Sequence, residues 1–334
     1  MIITRSPVRI SFAGGGTDMD AFYEKYGGAV VSTTINKYFY TIFNLREDEK
    51  IQLISSDLQS ILTVDDFYHL KFGEGFDIPN AVIKHFRIYK GFDLFMASEI
   101  PPGSGLGSSG AVAVNITQLC SLVKGEKINK KQIAEEAYYV QKEVLKLPVG
   151  KQDEYASSLG GFNLFEFNKT GVNVEPLPIK PATKKNLQKS LFLFFTGQTR
   201  VASTILHQQD SAARAGRSEV IEAMKAIKEN AYQMKEALLN DDLEKFGQLL
   251  HKGWEDKKKM SKDISNERLD KIYKLALENG ALGGKLTGAG GSGYFMFYCA
   301  ENKEKQFQKA MADAGLKILD FRFEDTGVTI LTGG

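Results

Sequence analysis

The chain has 334 residues, with 43 Lys and Arg against 41 Asp and Glu, 43% hydrophobic and 25% charged residues, an ordinary composition for a globular protein. A net charge of +2 excludes the basic excess of a nucleic-acid-binding surface, no apolar run reaches the roughly 18 residues of a membrane span, and the N-terminus lacks a signal peptide's apolar core. Four scattered histidines argue against a zinc site, and Cys120 and Cys299, each in apolar sequence, predict buried thiols in a soluble, cytoplasmic protein.

The length predicts two domains or one large one. Val8 to Phe12 alternates apolar and polar residues and reads as a strand running into Gly14. Ala29 to Ile35 and Tyr38 to Phe43 are β-branched and aromatic, and read as two further strands. Ile78 to Tyr89 has helical spacing, with Asp77 and Pro79 as its start. Phe92 to Ala97 is a strand ended by Pro101-Pro102. Ala111 to Val123, apolar almost all round, is a buried helix. Ile133 to Leu147 is another helix, stopped by Pro148.

The polar, basic stretch from Lys180 to Lys189, interrupted by Pro181, predicts a domain boundary, giving domains of residues 1–185 and 186–334. Leu191 to Phe195 comes next as a buried strand. Val201 to about Asn279 is mostly helical, with Asp241-Asp242 as one helix start. Within it, Lys257-Lys258-Lys259 beside Glu255 and Asp256 reads as a solvated helix face. Strand Tyr294 to Tyr298, helix Lys303 to Ala314 and strand Lys317 to Phe323 complete an α+β pattern in both halves.

Glycine is the unusual count, with 32 residues against 8 prolines. Thirteen fall in three patches: Gly14 to Gly16, Gly103 to Gly110, and Gly283 to Gly293. Each adjoins apolar sequence, so they read as backbone devices. The middle patch, Pro101-Pro102-Gly103-Ser104-Gly105-Leu106-Gly107-Ser108-Ser109-Gly110, lies between a strand and a buried helix. Unpaired N–H groups and the positive helix end then converge on one spot, which suits an anion. A P-loop would need Gly-Lys-Ser/Thr, but no lysine occurs between Lys90 and Lys124. A Rossmann fingerprint fails because Glu126 sits between two helices, not at the end of a strand. A plain tight turn would need only one or two glycines.

This middle segment resembles the phosphate loop of the GHMP small-molecule kinases. Ser6-Pro7-Val8-Arg9-Ile10-Ser11-Phe12-Ala13-Gly14-Gly15-Gly16-Thr17-Asp18 resembles the family's first motif, and Lys285-Leu286-Thr287-Gly288-Ala289-Gly290-Gly291-Ser292-Gly293 its third. The resemblance implies a two-domain α+β fold, with an N-terminal domain like ribosomal protein S5 and a ferredoxin-like C-terminal domain. It implies that Pro102, Gly103, Ser104, Gly105, Leu106, Gly107, Ser108 and Ser109 wrap ATP, with Ser109 also on Mg2+. Gly15, Gly16, Thr17, Asp18, Gly288 and Gly290 would shape the substrate site.

Arg9 lies mid-strand among apolar residues, where an unpaired charge is costly, so it requires a carboxylate or phosphate partner. Asp153, in Val149-Gly150-Lys151-Gln152-Asp153-Glu154-Tyr155-Ala156, matches the family's catalytic aspartate, with Arg9 beside the reacting hydroxyl. A plain helix-start aspartate and a structural salt bridge are the alternatives. The family's magnesium-binding glutamate corresponds to Gln141, a weaker ligand. Gly14-Gly15-Gly16 stands where galactokinases carry Gly-Glu-His, which argues against galactose.

Those motifs, with Phe195-Thr196-Gly197-Gln198-Thr199-Arg200, look most like a branch of the family that acts on the anomeric hydroxyl of a sugar phosphate. Arg200 and Lys37 are candidates for its distal phosphate. The expected partners are this small substrate, ATP and Mg2+, with no nucleic acid or membrane, in a monomer or homodimer. A sugar 1-kinase for an unphosphorylated sugar and a non-catalytic nucleotide- or sugar-sensing protein remain the rival readings.

Overall fold

The computed structural model describes residues 1–73, 75–197 and 203–333. Arg200, with Gln198 and Thr199, lies outside the described residues. The first half comprises β1 (Ile2–Ala13), α1 (Asp20–Tyr26), β2 (Gly28–Leu45), β3 (Ile51–Ser55), β4 (Ser60–Val64), α2 (Asp77–Phe86), β5 (Phe92–Ser98), α3 (Ser108–Lys124), α4 (Lys130–Tyr139), α5 (Gln152–Leu159), β6 (Asn163–Asn168) and β7 (Gly171–Pro176). Helices dominate the second half. They are α6 (Pro181–Ser190), α7 (Ser203–Arg214), α8 (Ser218–Leu239), α9 (Leu243–Lys258), α10 (Glu267–Glu278) and α11 (Glu304–Asp313). The accompanying strands are β8 (Leu191–Phe195), β9 (Ala281–Leu286), β10 (Tyr294–Cys299), β11 (Lys317–Leu319), β12 (Phe323–Glu324) and β13 (Thr329–Gly333).

The two strands expected at Ala29–Ile35 and Tyr38–Phe43 are one, the 18-residue β2. Its register against β1 steps from Pro7↔Tyr38 to Val8↔Ile35, so Asn36 and Lys37 bulge out. Pro7 has no N–H to give a ladder, which suits it to this position. The bulge supplied the break that the sequence suggested. One edge of β2 pairs with β1 throughout, and the other pairs in turn with β6, β12 and β5. These strands belong to a nine-stranded sheet.

Helix α3 packs on β1 and contacts α2, α4 and α5, and its Ala111, Ala113, Val114, Ile116 and Leu119 are buried. Burying each of the larger side chains contributes about 1.5–3 kcal/mol, so this largely apolar helix holds the first half together. Helix α4 starts on a reciprocal Asn129–Gln132 capping box. The expected helix to Leu147 is α-helical only to Tyr139, and a π-helical turn from Val140 to Val144 continues it.

A four-stranded antiparallel sheet, β11-β8-β10-β9, forms the second half, with α9 packed on β9 and β10. The stretch expected to mark a domain boundary is helical, α6, whose Pro181 sits in the first turn, where its missing N–H costs nothing. Phe246 of α9 meets Phe12 of β1 with ring centroids 5.2 Å apart and Tyr298 of β10 at 5.4 Å. The two sheets thus share one core. The chain end returns to the first sheet, with β12 beside β2 and β13 beside β1. Residues assigned from sequence to 186–334 therefore also complete the first sheet.

Candidate active site

The three glycine patches meet at one cavity of about 920 Å³. Gly15 and Gly16 line it from the first, Gly103, Gly105 and Gly107 from the second, and Gly288 from the third. Pro102, Ser108 and Ser109 also face it. Gly103, Gly105 and Gly107 have φ of 71°, 81° and 77°, a left-handed backbone that opens the start of α3 toward the cavity. Ser104 and Leu106 face away and are fully buried. They anchor the loop rather than line it.

The third patch works differently. A methyl on Gly288 would stand 2.6 Å from the Gly105 Cα, and one on Gly293 2.3 Å from the Ser104 carbonyl oxygen. These glycines let two loops touch backbone to backbone. Gly290 packs on Ile264, outside the cavity lining. Its expected substrate contact is replaced by a supporting one.

Arg9 is 5% exposed and fastens three parts together. Its Nε donates to Asp153 Oδ1 at 2.8 Å, and a second guanidinium nitrogen lies 2.7 Å from the same oxygen. Its Nη1 donates to the Gly105 carbonyl at 2.7 Å, and its backbone N–H to the Leu106 carbonyl at 3.0 Å. The predicted partner for Arg9 is thus Asp153, in the first turn of α5. Asp153 Oδ2 takes no hydrogen bond from the described residues, which leaves it open to the cavity. Helix α5 reaches this position because Gly110 has no side chain: a Cβ there would stand 2.6 Å from the Asp153 Cβ.

Asp18 also lines the cavity but is heavily engaged. It accepts from the Gly16 N–H at 2.9 Å, the Gln152 N–H at 3.2 Å and Gln152 Nε2 at 3.0 Å. Burial, then the nearby Asp153 charge, push its carboxyl above the usual range. Thr17, expected at the substrate, points away instead. Its hydroxyl donates to the Gly14 carbonyl at 2.8 Å and accepts from the Ala29 N–H at 3.1 Å, so it braces the turn. Lys37 sits at the β2 bulge, outside the cavity lining.

Gln141, expected at the metal, lies one layer behind the cavity wall and is fully buried in the π-helical turn. Its Nε2 donates to Glu154 Oε1, and it is Glu154 that lines the cavity. Glu154 is 1% exposed, and burial followed by the Asp153 charge push its carboxyl well above the usual range.

Sequence reasoning missed five more groups on the wall. Lys257, read as part of a solvated face, is 5% exposed, and its Nζ donates to the Gly288 carbonyl. Burial and Arg9 pull its ammonium down to about 8. Lys285 is 6% exposed and pulled well below the usual range by burial, Lys257 and Arg9. Neither lysine makes an ion pair among the described residues. Ser11 Oγ, Gln152 Oε1 and Gln209 Nε2 are buried polar atoms without a hydrogen-bond partner among the described residues, and all three residues line the cavity. A ligand with several hydroxyls would satisfy them. The signal for Lys257 was its place in the helical repeat: two turns after buried Leu250 and one after buried Trp254, it continues the apolar face of α9.

A glycine-rich loop at the start of α3, an aspartate gripped by arginine and two buried lysines thus face one cavity. The models for the GHMP kinases N terminal domain and the GHMP kinases C terminal domain match residues 77–161 and 234–315. The chain belongs to the GHMP kinase family. It is 36% identical over 333 residues, 98% of each chain, to D-glycero-alpha-D-manno-heptose 7-phosphate kinase of Campylobacter jejuni. It is 29% identical to L-fucokinase/L-fucose-1-P guanylyltransferase of Bacteroides fragilis, over 87% of this chain and 34% of that longer protein. The crystal structure of a D-glycero-D-manno-heptose 1-phosphate kinase from Bacteroides thetaiotaomicron superposes with a TM-score of 0.83 at 28% identity, covering all of both chains. The α+β GHMP architecture expected from the motifs is therefore the observed one.

Proposed function

We propose that this kinase transfers the γ-phosphoryl group of ATP to the anomeric hydroxyl of D-glycero-D-manno-heptose 7-phosphate, giving the 1,7-bisphosphate. One observation carries the reading: Asp153 with its open oxygen shares a cavity with unpartnered polar atoms and two buried lysines. The polar atoms suit sugar hydroxyls. The lysines suit a substrate that is itself a phosphate.

In this reading the start of α3 and the glycines before it hold the nucleotide phosphates. Asp153 Oδ2 accepts the proton of the attacking hydroxyl, while Arg9 fixes the carboxylate through Oδ1 and holds it against the phosphate loop. Asp18, steadied by Gln152, orients the sugar beside Gly15 and Gly16. Lys257 and Lys285 offset negative charge gathered at the site. A divalent cation bound with the nucleotide would supply further charge neutralisation. Ser109 and the Gln141–Glu154 pair offer the hard oxygen donors it prefers, two of them unpartnered.

The names of the two heptose-kinase relatives place phosphate at different carbons, and the third acts on an unphosphorylated sugar by name. An ADP-release assay across heptose 7-phosphate, free heptose, fucose, mannose and galactose separates these. Turnover is expected with the heptose phosphate at least about ten times above the free sugars, a gap that one well-placed cationic contact can supply. Preference for fucose would replace this reading with a sugar 1-kinase, and ATP binding without turnover on any sugar would favour a sensor.

A further inference from the structure

The Gln141–Glu154 contact has a feature that the proton-transfer chemistry does not use. Both side chains are buried, at 0% and 1% exposure, and each keeps one oxygen unpartnered: Gln141 Oε1 and Glu154 Oε2. A buried carboxylate oxygen with no donor is costly, and such an oxygen beside a cavity points to a missing cation or donor. The cavity wall decides which residue meets it. Glu154 is part of that wall and Gln141 is not. Ser109 is on the same wall, and α3 and α5 touch here: a Cβ on Gly110 would lie 3.3 Å from the Glu154 backbone nitrogen. Gln141 itself belongs to a π-helical turn, a local widening that turns its side chain toward α5.

We propose that Glu154 is the carboxylate through which this chain ligates the divalent cation carried by the nucleotide, with Gln141 as the positioning residue that holds Glu154 Oε1 and leaves Oε2 for the ion. The carboxylate expected at position 141 is thus supplied from position 154, one layer nearer the cavity. Metal-free, burial and then the Asp153 and Asp18 charges oppose its ionisation, and its own backbone N–H and the Gln141 amide offset this only in part. A cation coordinated at Oε2 removes that penalty, and an oxygen set of hydroxyl, carboxylate and phosphate suits magnesium or manganese. The inference rests on the nucleotide-binding part of the proposed function and not on the identity of the sugar.

The test is Mn2+ binding, followed by electron paramagnetic resonance, to the full-length protein with a non-hydrolysable ATP analogue. Glu154→Gln keeps the shape and the buried contact, and is expected to weaken Mn2+ binding at least about tenfold. Its metal-free melting temperature should be unchanged or higher, because an amide is cheaper to bury than a carboxyl. Gln141→Leu is expected to weaken binding less than Glu154→Gln. Wild-type Mn2+ affinity in Glu154→Gln would overturn the assignment, and so would a larger loss in Gln141→Leu, which would make Gln141 the ligand. Should Glu154→Gln fail to fold, Glu154→Asp retains the charge with a shorter reach, and the same loss or its absence decides. Analogue binding in EDTA that is equal in wild type and variants shows that the nucleotide site is intact. If the analogue binds no variant and no wild type, the kinase reading fails and not this assignment alone.

Discussion

The two walls of the cavity are built in opposite ways. The N-terminal wall comes from contiguous motifs: Arg9 on β1, Pro102, Gly103, Gly105 and Gly107 before α3, Ser108 and Ser109 in its first turn, and Asp153 at the start of α5. The C-terminal wall is assembled from Lys257 at the end of α9, Lys285 on β9 and Gly288 in the loop after it. The first wall ties its charges to each other, as Arg9 does with Asp153. The second leaves its cations without a carboxylate partner among the described residues. Groups already paired can position chemistry, whereas unpaired buried cations are poised to meet an incoming anion. The same contrast runs through the glycines. Those of the phosphate loop open backbone toward the cavity, and those of residues 288–293 allow two backbones to touch.

If the first wall performs the chemistry, Asp153→Asn gives the largest effect. Turnover should fall about 10²–10⁴-fold with ATP binding and melting temperature little changed. Near-wild-type turnover in a folded variant would break the division between the walls. A smaller effect is expected where the walls touch. In Gly288→Ala a Cβ would lie 2.6 Å from the Gly105 Cα, at a φ of +68°. The clash and the strain together should cost about 1–3 kcal/mol of stability and raise the KM for ATP. Thermal melts and steady-state kinetics check both, and an unaltered KM would mean that the third loop does not support the phosphate loop.

The smallest effect sharpens the second wall. Lys257 has its ammonium lowered from 10.5 to about 8, so the free protein loses this charge as pH rises through about 8. A phosphate binds the protonated form better. The KM for the sugar phosphate should therefore rise about tenfold from about pH 7 to about pH 9, and Lys257→Met should flatten that rise. Stability of the free protein runs the other way. Between about 8 and 10.5 the unfolded chain holds more protons at this lysine, so its contribution to folding increases with pH there. A pH-independent KM in the wild type would remove Lys257 from anion binding.

This difference between the walls also sets how much the sequence reveals. Arg9, Asp153, Asp18 and the phosphate loop sit in short motifs whose spacing is local, and Arg9, Asp153, Asp18 and most of the loop line the cavity. The elements β8 and β10 were legible for a similar reason, as unbroken apolar runs, and α3 as a mostly apolar one. Lys257 was not, because a lysine among lysines reads as solvated until the packing of α9 on β9 and β10 turns its face inward. Gln141 stood out as a metal candidate but Glu154 did not, and only the π-helical turn joins them. Thr17 failed in the other direction: it lies within a substrate motif, yet the turn consumes its hydroxyl. The break in β2 was misread because a bulge gives the same local signal as the end of a strand.

The central claim is that one cleft places the anomeric hydroxyl of a phosphorylated heptose between Asp153 and the ATP phosphates. Phosphorus NMR of the product made from heptose 7-phosphate tests it most directly. The account predicts two phosphate resonances, the original monoester and a second one coupled to the anomeric proton. A new phosphate coupled to any other sugar proton, or a product with a single phosphate, would contradict it.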